Sequence, residues 1–322
     1  MKRFEKIYIE LTDYCGLCCG FCPNSRRIQP YSWQAAENPH VISSLKGSEE
    51  NNKGQSLRTI MPLSLFQSLC EQITGKTRRV CLHILGDPLS IHNLVEYIEI
   101  LRFYKLQVDL VTTGLFLRQS DFAMLTAYPF VQISFSLSAF LANPNRLHDI
   151  HLQRIFAFCD YNLMQESPIF INLRLHNKDI ASNSPYFREI LRNIASHFNI
   201  PHENVFNQIY KRVRLAKKTL LVATRSFEWI RKDSINDVLS DGVKTKPRRF
   251  CHGAYSQIGI LCNGDVVPCC IDYSGAACFG SIKTQKLHQI LTSKVFQEFK
   301  HKLGIGEPAS SLCEKCGYVV AR

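Results

Sequence analysis

From residue 6 to about residue 200 the apolar positions fall into short blocks at regular intervals. KIYIEL (residues 6–11) alternates apolar and polar, the period of a half-buried strand. MPLSLFQSLCEQI (residues 61–73) has helical spacing, with Pro62 suited to a first turn. Further strands are predicted at RVCLHIL (79–85), QVDLVTT (107–113), VQISFSL (131–137) and IFINLRL (169–175). Helical periods lie between and after them, at 92–104, 120–128, 148–164 and 185–198. Alternating strands and helices build a parallel sheet with right-handed crossovers. Six such units predict an α/β fold, a partial (β/α)6 TIM-like barrel. Sites in such folds gather at the C-terminal ends of the strands. Four chemically suggestive segments fall there: the loop CGLCCGFC (15–22), Gly86-Asp87-Pro88, Thr113-Gly114 and Ser136.

Elsewhere the rhythm breaks. Residues 30–58 are polar and aperiodic, which predicts an insertion loop. Residues 200–240 read as a connection, with a basic, partly strand-like run at KRVRLAKKTLLVATRSFEWIRK (211–232). GVKTKPRRF (242–250) reads as a linker. Beyond it, QIGIL and VVPCC flank Gly264-Asp265 as a β-hairpin, followed by a helix over about 287–301. A core over 1–240 and a small hairpin-and-helix domain over 241–322 are therefore expected.

Composition narrows the class. The chain has 322 residues, 45% of them apolar, which excludes global disorder. No run of about 18 uncharged apolar residues occurs, so no membrane-spanning helix is expected. The first residues carry charges and no small-residue cleavage site, so a cytoplasmic, reducing location is expected. In that setting 14 cysteines favour metal or cluster ligation over disulfides. The formal net charge of +12 suits an anionic partner or plain solubility, and direct nucleic-acid binding is not favoured.

Cys15, Cys19 and Cys22 form C-x3-C-x2-C, with Phe21 just before the last thiol. Three thiolates on one short loop can hold three corners of a cubane cluster and leave one iron open. Structural zinc is the alternative reading of the same thiols. The pattern after an N-terminal strand resembles the radical S-adenosylmethionine (radical SAM) superfamily. LGDPL (85–89), VTTG (111–114), SFSLS (134–138) and NLRL (172–175) are similar, in order, to that family's later strand-end segments. Leu85 and Asp87 stand where the family often has glycine and glutamate.

The resemblance implies that Cys15, Cys19 and Cys22 ligate a [4Fe-4S] cluster whose open iron takes S-adenosylmethionine (SAM). Reductive cleavage would then give a 5′-deoxyadenosyl radical that takes hydrogen from a peptide or small-molecule substrate. The same resemblance implies Phe21, Gly86, Asp87, Pro88, Thr113, Ser136 and Arg174 around the cofactor, and a flavodoxin- or ferredoxin-type electron donor. It names no catalytic side chain. His83 and His176 also lie near strand ends, while Cys70, Cys81 and Cys159 read as core thiols. The tail is similar to the Twitch form of the SPASM domain in radical SAM enzymes. That implies a second, auxiliary [4Fe-4S] cluster on Cys251, Cys269, Cys313 and Cys316, suited to a dehydrogenase or a maturase. Zinc is again the alternative there, and Cys262, Cys270 and Cys278 are left over.

Overall fold

The computed structural model describes residues 4–23, 59–143, 147, 149–176, 184–208, 212–223, 229, 249–316 and 320–321. The predicted insertion at 30–58 and most of the linker at 242–250 lie outside these residues.

Strand β1 (Lys6–Ile9) opens the chain and helix α1 (Leu63–Ile73) follows. Next come β2 (Arg79–Leu82), α2 (Leu94–Phe103), β3 (Gln107–Thr112), a short α3 (Phe122–Leu125) and β4 (Phe130–Ser136). A five-residue α4 (Ser138–Ala142), which no apolar period announced, precedes α5 (Asp149–Met164), β5 (Phe170–Leu175) and α6 (Pro185–His197). After α7 (His202–Gln208), the basic run forms a hairpin, β6 (Arg212–Ala216) and β7 (Thr219–Ala223). The tail adds β8 (Arg249–Phe250), β9 (Gln257–Ile260) and β10 (Val266–Val267). It closes with α8 (Leu287–Thr292), α9 (Lys294–Gly304), α10 (Ser311–Lys315) and β11 (Val320–Ala321).

The single helix expected over 287–301 is two helices. Ser293 sits in extended backbone and its hydroxyl accepts the Phe296 N–H, so it ends α8 and caps α9. Strand β2 also stops short of the expected Leu85, because the chain turns at Leu85–Asp87 to meet the cysteine loop.

Among the described residues nine strands form one sheet in the order β10-β9-β1-β2-β3-β4-β5-β7-β6. Strands β1 to β5 and β7 run parallel, as six barrel strands should. The tail does not stand apart: β9 pairs in parallel with β1, extending the core sheet. Alternation sorts the two faces. Ile7, Ile9, Ile133, Phe135, Ile171 and Leu173 are buried among α1, α2 and α5 residues such as Phe66, Leu69, Ile98 and Ile155. The opposite face carries Tyr8, Gln132, Asn172 and Arg174, only half-buried, so the inner wall is polar. Near the start of the strands Asp109 closes that wall, accepting from Lys6 Nζ at 3.1 Å and Arg79 Nε at 2.6 Å.

Candidate functional site

The cysteine loop leaves β1 and is held from three sides. The chain at 10–14 runs beside the turn at 85–87. The Asp87 N–H donates to the Tyr14 carbonyl at 2.8 Å, and the Ser90 hydroxyl donates to the same oxygen at 3.4 Å. Gly86 lies against Thr12: a Cβ there would stand 1.8 Å from the Thr12 carbonyl oxygen, so only glycine fits. At Gly16 the backbone is left-handed, with φ +74°, and an added Cβ would meet the Phe116 ring at 2.8 Å. On the third side Asn143, just past α4, accepts the Cys18 N–H and donates to the Cys19 sulfur at 3.0 Å.

Asp87, among the expected cofactor contacts, is 2% exposed. Its carboxylate accepts the Leu89 N–H, the Thr113 N–H and both the Thr112 and Thr113 hydroxyls, at 2.8–3.1 Å. It thus caps the 3-10 turn Pro88–Ser90 and fastens it to the end of β3. Burial pushes its pKa up, against the pull of those hydrogen bonds. Thr113 shares this network. Ser136 stands in register beside Arg174 on β5, both half-buried on the inner wall. Phe21 is 37% exposed beside the loop.

Cys15 and Cys19 are buried and Cys22 half-buried. Burial first, with the neighbouring sulfurs adding to it, pushes the first two thiols up to about 12 and about 11. Such thiols are protonated until metal displaces the protons.

The tail gathers a second set. Burial raises the Cys251 thiol, with Cys313 and Cys316 adding to the shift. Cys269 is raised by burial and then by Cys270 and Cys251. Geometry joins two of the expected ligands: a Cβ added at Gly253 would stand 3.4 Å from the Cys251 sulfur and 3.7 Å from the Cys269 Cβ, and that sulfur accepts the Gly253 N–H at 3.3 Å. Cys278 lies apart, exposed, donating to the Gly280 carbonyl. Cys270 turns toward Tyr8 and Arg174 on the inner wall. Among the described residues no three His, Cys, Asp or Glu side chains converge as a single bound ion requires. A cubane needs no such convergence, since each thiolate holds its own iron. An all-thiol donor set fits iron–sulfur chemistry.

His83 and His176 both reach the inner wall near Arg174 and are pushed down, to about 3 and about 4, chiefly by burial. His83 also meets the Tyr8 ring edge-on at 5.3 Å between centroids. Two site residues escaped the sequence reading. Asn143 follows a helix no period announced, and Glu10 sits where an alternating strand simply ends.

The site is thus a partial parallel barrel bearing a three-thiol loop at its C-terminal strand ends, with a cysteine-rich tail laid on its first strand. Residues 251–317 match SPASM, an iron-sulfur cluster-binding domain. Among solved structures the chain resembles BtrN in complex with AdoMet and 2-DOIA, at 17% identity and TM-score 0.51, covering 100% of this chain and 96% of that one. It also resembles SuiB of Streptococcus suis bound to S-adenosylmethionine, at 14% identity and TM-score 0.53, covering 98% and 70%. Native anSMEcpe with bound AdoMet and Cp18Cys peptide aligns at 12% identity and TM-score 0.52, covering 97% and 86%. No curated protein matches the sequence. No helix among the described residues is long and apolar enough to cross a membrane.

Proposed function

We propose that the chain is a radical SAM enzyme. Cys15, Cys19 and Cys22 would hold the SAM-binding [4Fe-4S] cluster, and Cys251, Cys269, Cys313 and Cys316 an auxiliary one. Together the bound cofactors supply one-electron cleavage of a sulfonium bond and hydrogen-atom abstraction. The rest is work of the chain's own residues. Gly86 lets the turn close against Thr12 beside the cysteine loop, and Asp87 fixes Pro88 and Thr113 there. Ser136 and Arg174 offer a hydroxyl and a guanidinium from adjacent strands, the second able to hold a carboxylate with two parallel hydrogen bonds. Ile84, Leu85, Leu261, Val267 and Tyr273 pack with Cys22 and Cys270 into an apolar layer beside the cysteine loop, which would keep water out. We keep the division near residue 240 as a functional boundary, although β9 and β1 share a sheet.

The observation that carries this reading is the clamped three-thiol loop at the mouth of a polar-walled barrel. BtrN is recorded with 2-DOIA and SuiB with the precursor peptide SuiA, so small molecules and peptides are both candidate substrates here. An auxiliary cluster suits an oxidation, because it can accept the electron left on a substrate radical. An external flavodoxin- or ferredoxin-type donor belongs to the same reading.

Anaerobic reconstitution tests it. We expect about eight irons per chain and, with dithionite and SAM, 5′-deoxyadenosine. Replacing Cys15, Cys19 and Cys22 together by alanine should remove about four irons and all of the product. A fully loaded protein that forms no 5′-deoxyadenosine, or one that takes up zinc in place of iron, overturns the proposal. Comparing metabolites and peptides of a deletion strain with the parent then identifies the substrate.

A further inference from the structure

Glu10 is the residue that follows β1, and its side chain points into the joint between the core and the tail. It is 3% exposed. One carboxyl oxygen accepts the Leu85 N–H at 3.2 Å. The other accepts the Cys262 N–H at 3.2 Å, from a residue 252 positions away. The Cys262 thiol donates to the same carboxyl. The Glu10 backbone N–H donates to the Ile260 carbonyl at 2.9 Å, continuing the β1–β9 pairing.

The two segments so joined lead to the two thiol sets. Leu85 opens the turn that locks Thr12 and Tyr14, one residue before Cys15. Cys262 begins the β9–β10 turn, in which the Leu261 N–H donates to Asp265 and the Gly264 N–H to Leu261. That turn leads through β10 to Cys269. Hydrogen-bonding chemistry makes the link reciprocal: whatever fixes the Leu85 amide sharpens one bond to Glu10 and orders its other oxygen. Both amides lose their side-chain acceptor if the carboxyl is removed from this buried place.

We propose that Glu10 is a positioning residue that couples SAM occupancy of the 85–88 turn to the ordering of the auxiliary hairpin at 257–267. This rests on the radical SAM reading above. The coupling is a free energy shared between two segments, so it acts in both directions. Asp13, whose charge lies close to Glu10, is itself engaged with the Thr59 N–H at 3.0 Å and stays on the core side of the joint.

Hydrogen–deuterium exchange of the anaerobically loaded protein, with and without SAM, tests this. In the wild type, SAM should slow exchange across 85–88 and also across 257–267. In Glu10→Ala the first effect should persist and the second should vanish. The amides at Leu85 and Cys262 should exchange about tenfold faster even without SAM, as expected for a lost bond to a carboxylate. Glu10→Gln keeps one acceptor and opposes an N–H donor with its amide, so it should restore protection at one of the two amides only. It also serves where the alanine variant does not fold. If SAM protects 85–88 but leaves 257–267 unchanged in the wild type, or protects both equally in the variants, the coupling is wrong while the cofactor reading stands. If SAM protects neither segment in a fully loaded wild type, the cofactor reading falls and the coupling with it.

Discussion

Replacing Asp87 by alanine separates two roles for that residue. Were Asp87 a cofactor contact alone, its loss would weaken SAM binding and leave the metal-free protein nearly as stable as before. The structure gives a different expectation. Two backbone donors, the buried Leu89 N–H and the half-buried Thr113 N–H, lose their acceptor. Each stranded buried amide costs about 1–3 kcal/mol. The Thr112 and Thr113 hydroxyls can rotate to other acceptors and add little. Against this, the variant no longer buries a carboxyl whose pKa burial has raised. The balance is a loss of about 2–4 kcal/mol in the apoprotein. Anaerobic urea unfolding of the metal-free protein measures it as a shift in midpoint at constant slope. Asp87→Asn is the sharper variant. Its amide can still cap Leu89 but sets an NH2 against Thr113 N–H, so it should recover less than half of the loss. An alanine variant within about 0.5 kcal/mol of wild type would refute the stapling role and return Asp87 to the cofactor.

Other expectations follow from the same geometry. Gly86→Ala must push a methyl into the Thr12 carbonyl, so the turn has to move; we expect a loss of about 2–3 kcal/mol by urea unfolding and no detectable 5′-deoxyadenosine. Asp109→Ala leaves Lys6 and Arg79 without their shared carboxylate; because these are 39% and 34% exposed and can rehydrate, about 2 kcal/mol should be lost, not the larger penalty of a sealed pair, by the same assay. Burial raises Glu10 from 4.5 to about 7, so the native state binds its proton more tightly than the unfolded chain. Its contribution therefore falls as pH rises from 4.5 to 7, by about 3 kcal/mol measured against Glu10→Gln, and a flat difference between the two across that window would contradict the burial. Cys270→Ala should keep the full iron content, whereas Cys313→Ala should lose about four irons per chain, read by iron assay.

The strand-helix rhythm, the three-thiol loop and the C-x2-C spacing of Cys313 and Cys316 are local patterns, and the sequence alone determined them. A period of two or of 3.6 is written in neighbouring residues, and so is the spacing of thiols on one loop. Tertiary structure decided everything that joins distant segments. No local pattern says that Asn143 bonds Cys19 across 124 residues, or that Glu10 bonds Cys262 across 252. The pairing of β9 with β1 makes the tail part of the core sheet, where composition suggested a break. Asp87 shows the same limit within a recognised segment. Its position was legible, but its engagement with Thr112 and Thr113 depends on how β2 and β3 lie side by side. A buried polar atom takes whichever partner the packing brings near, and packing is a property of the whole fold.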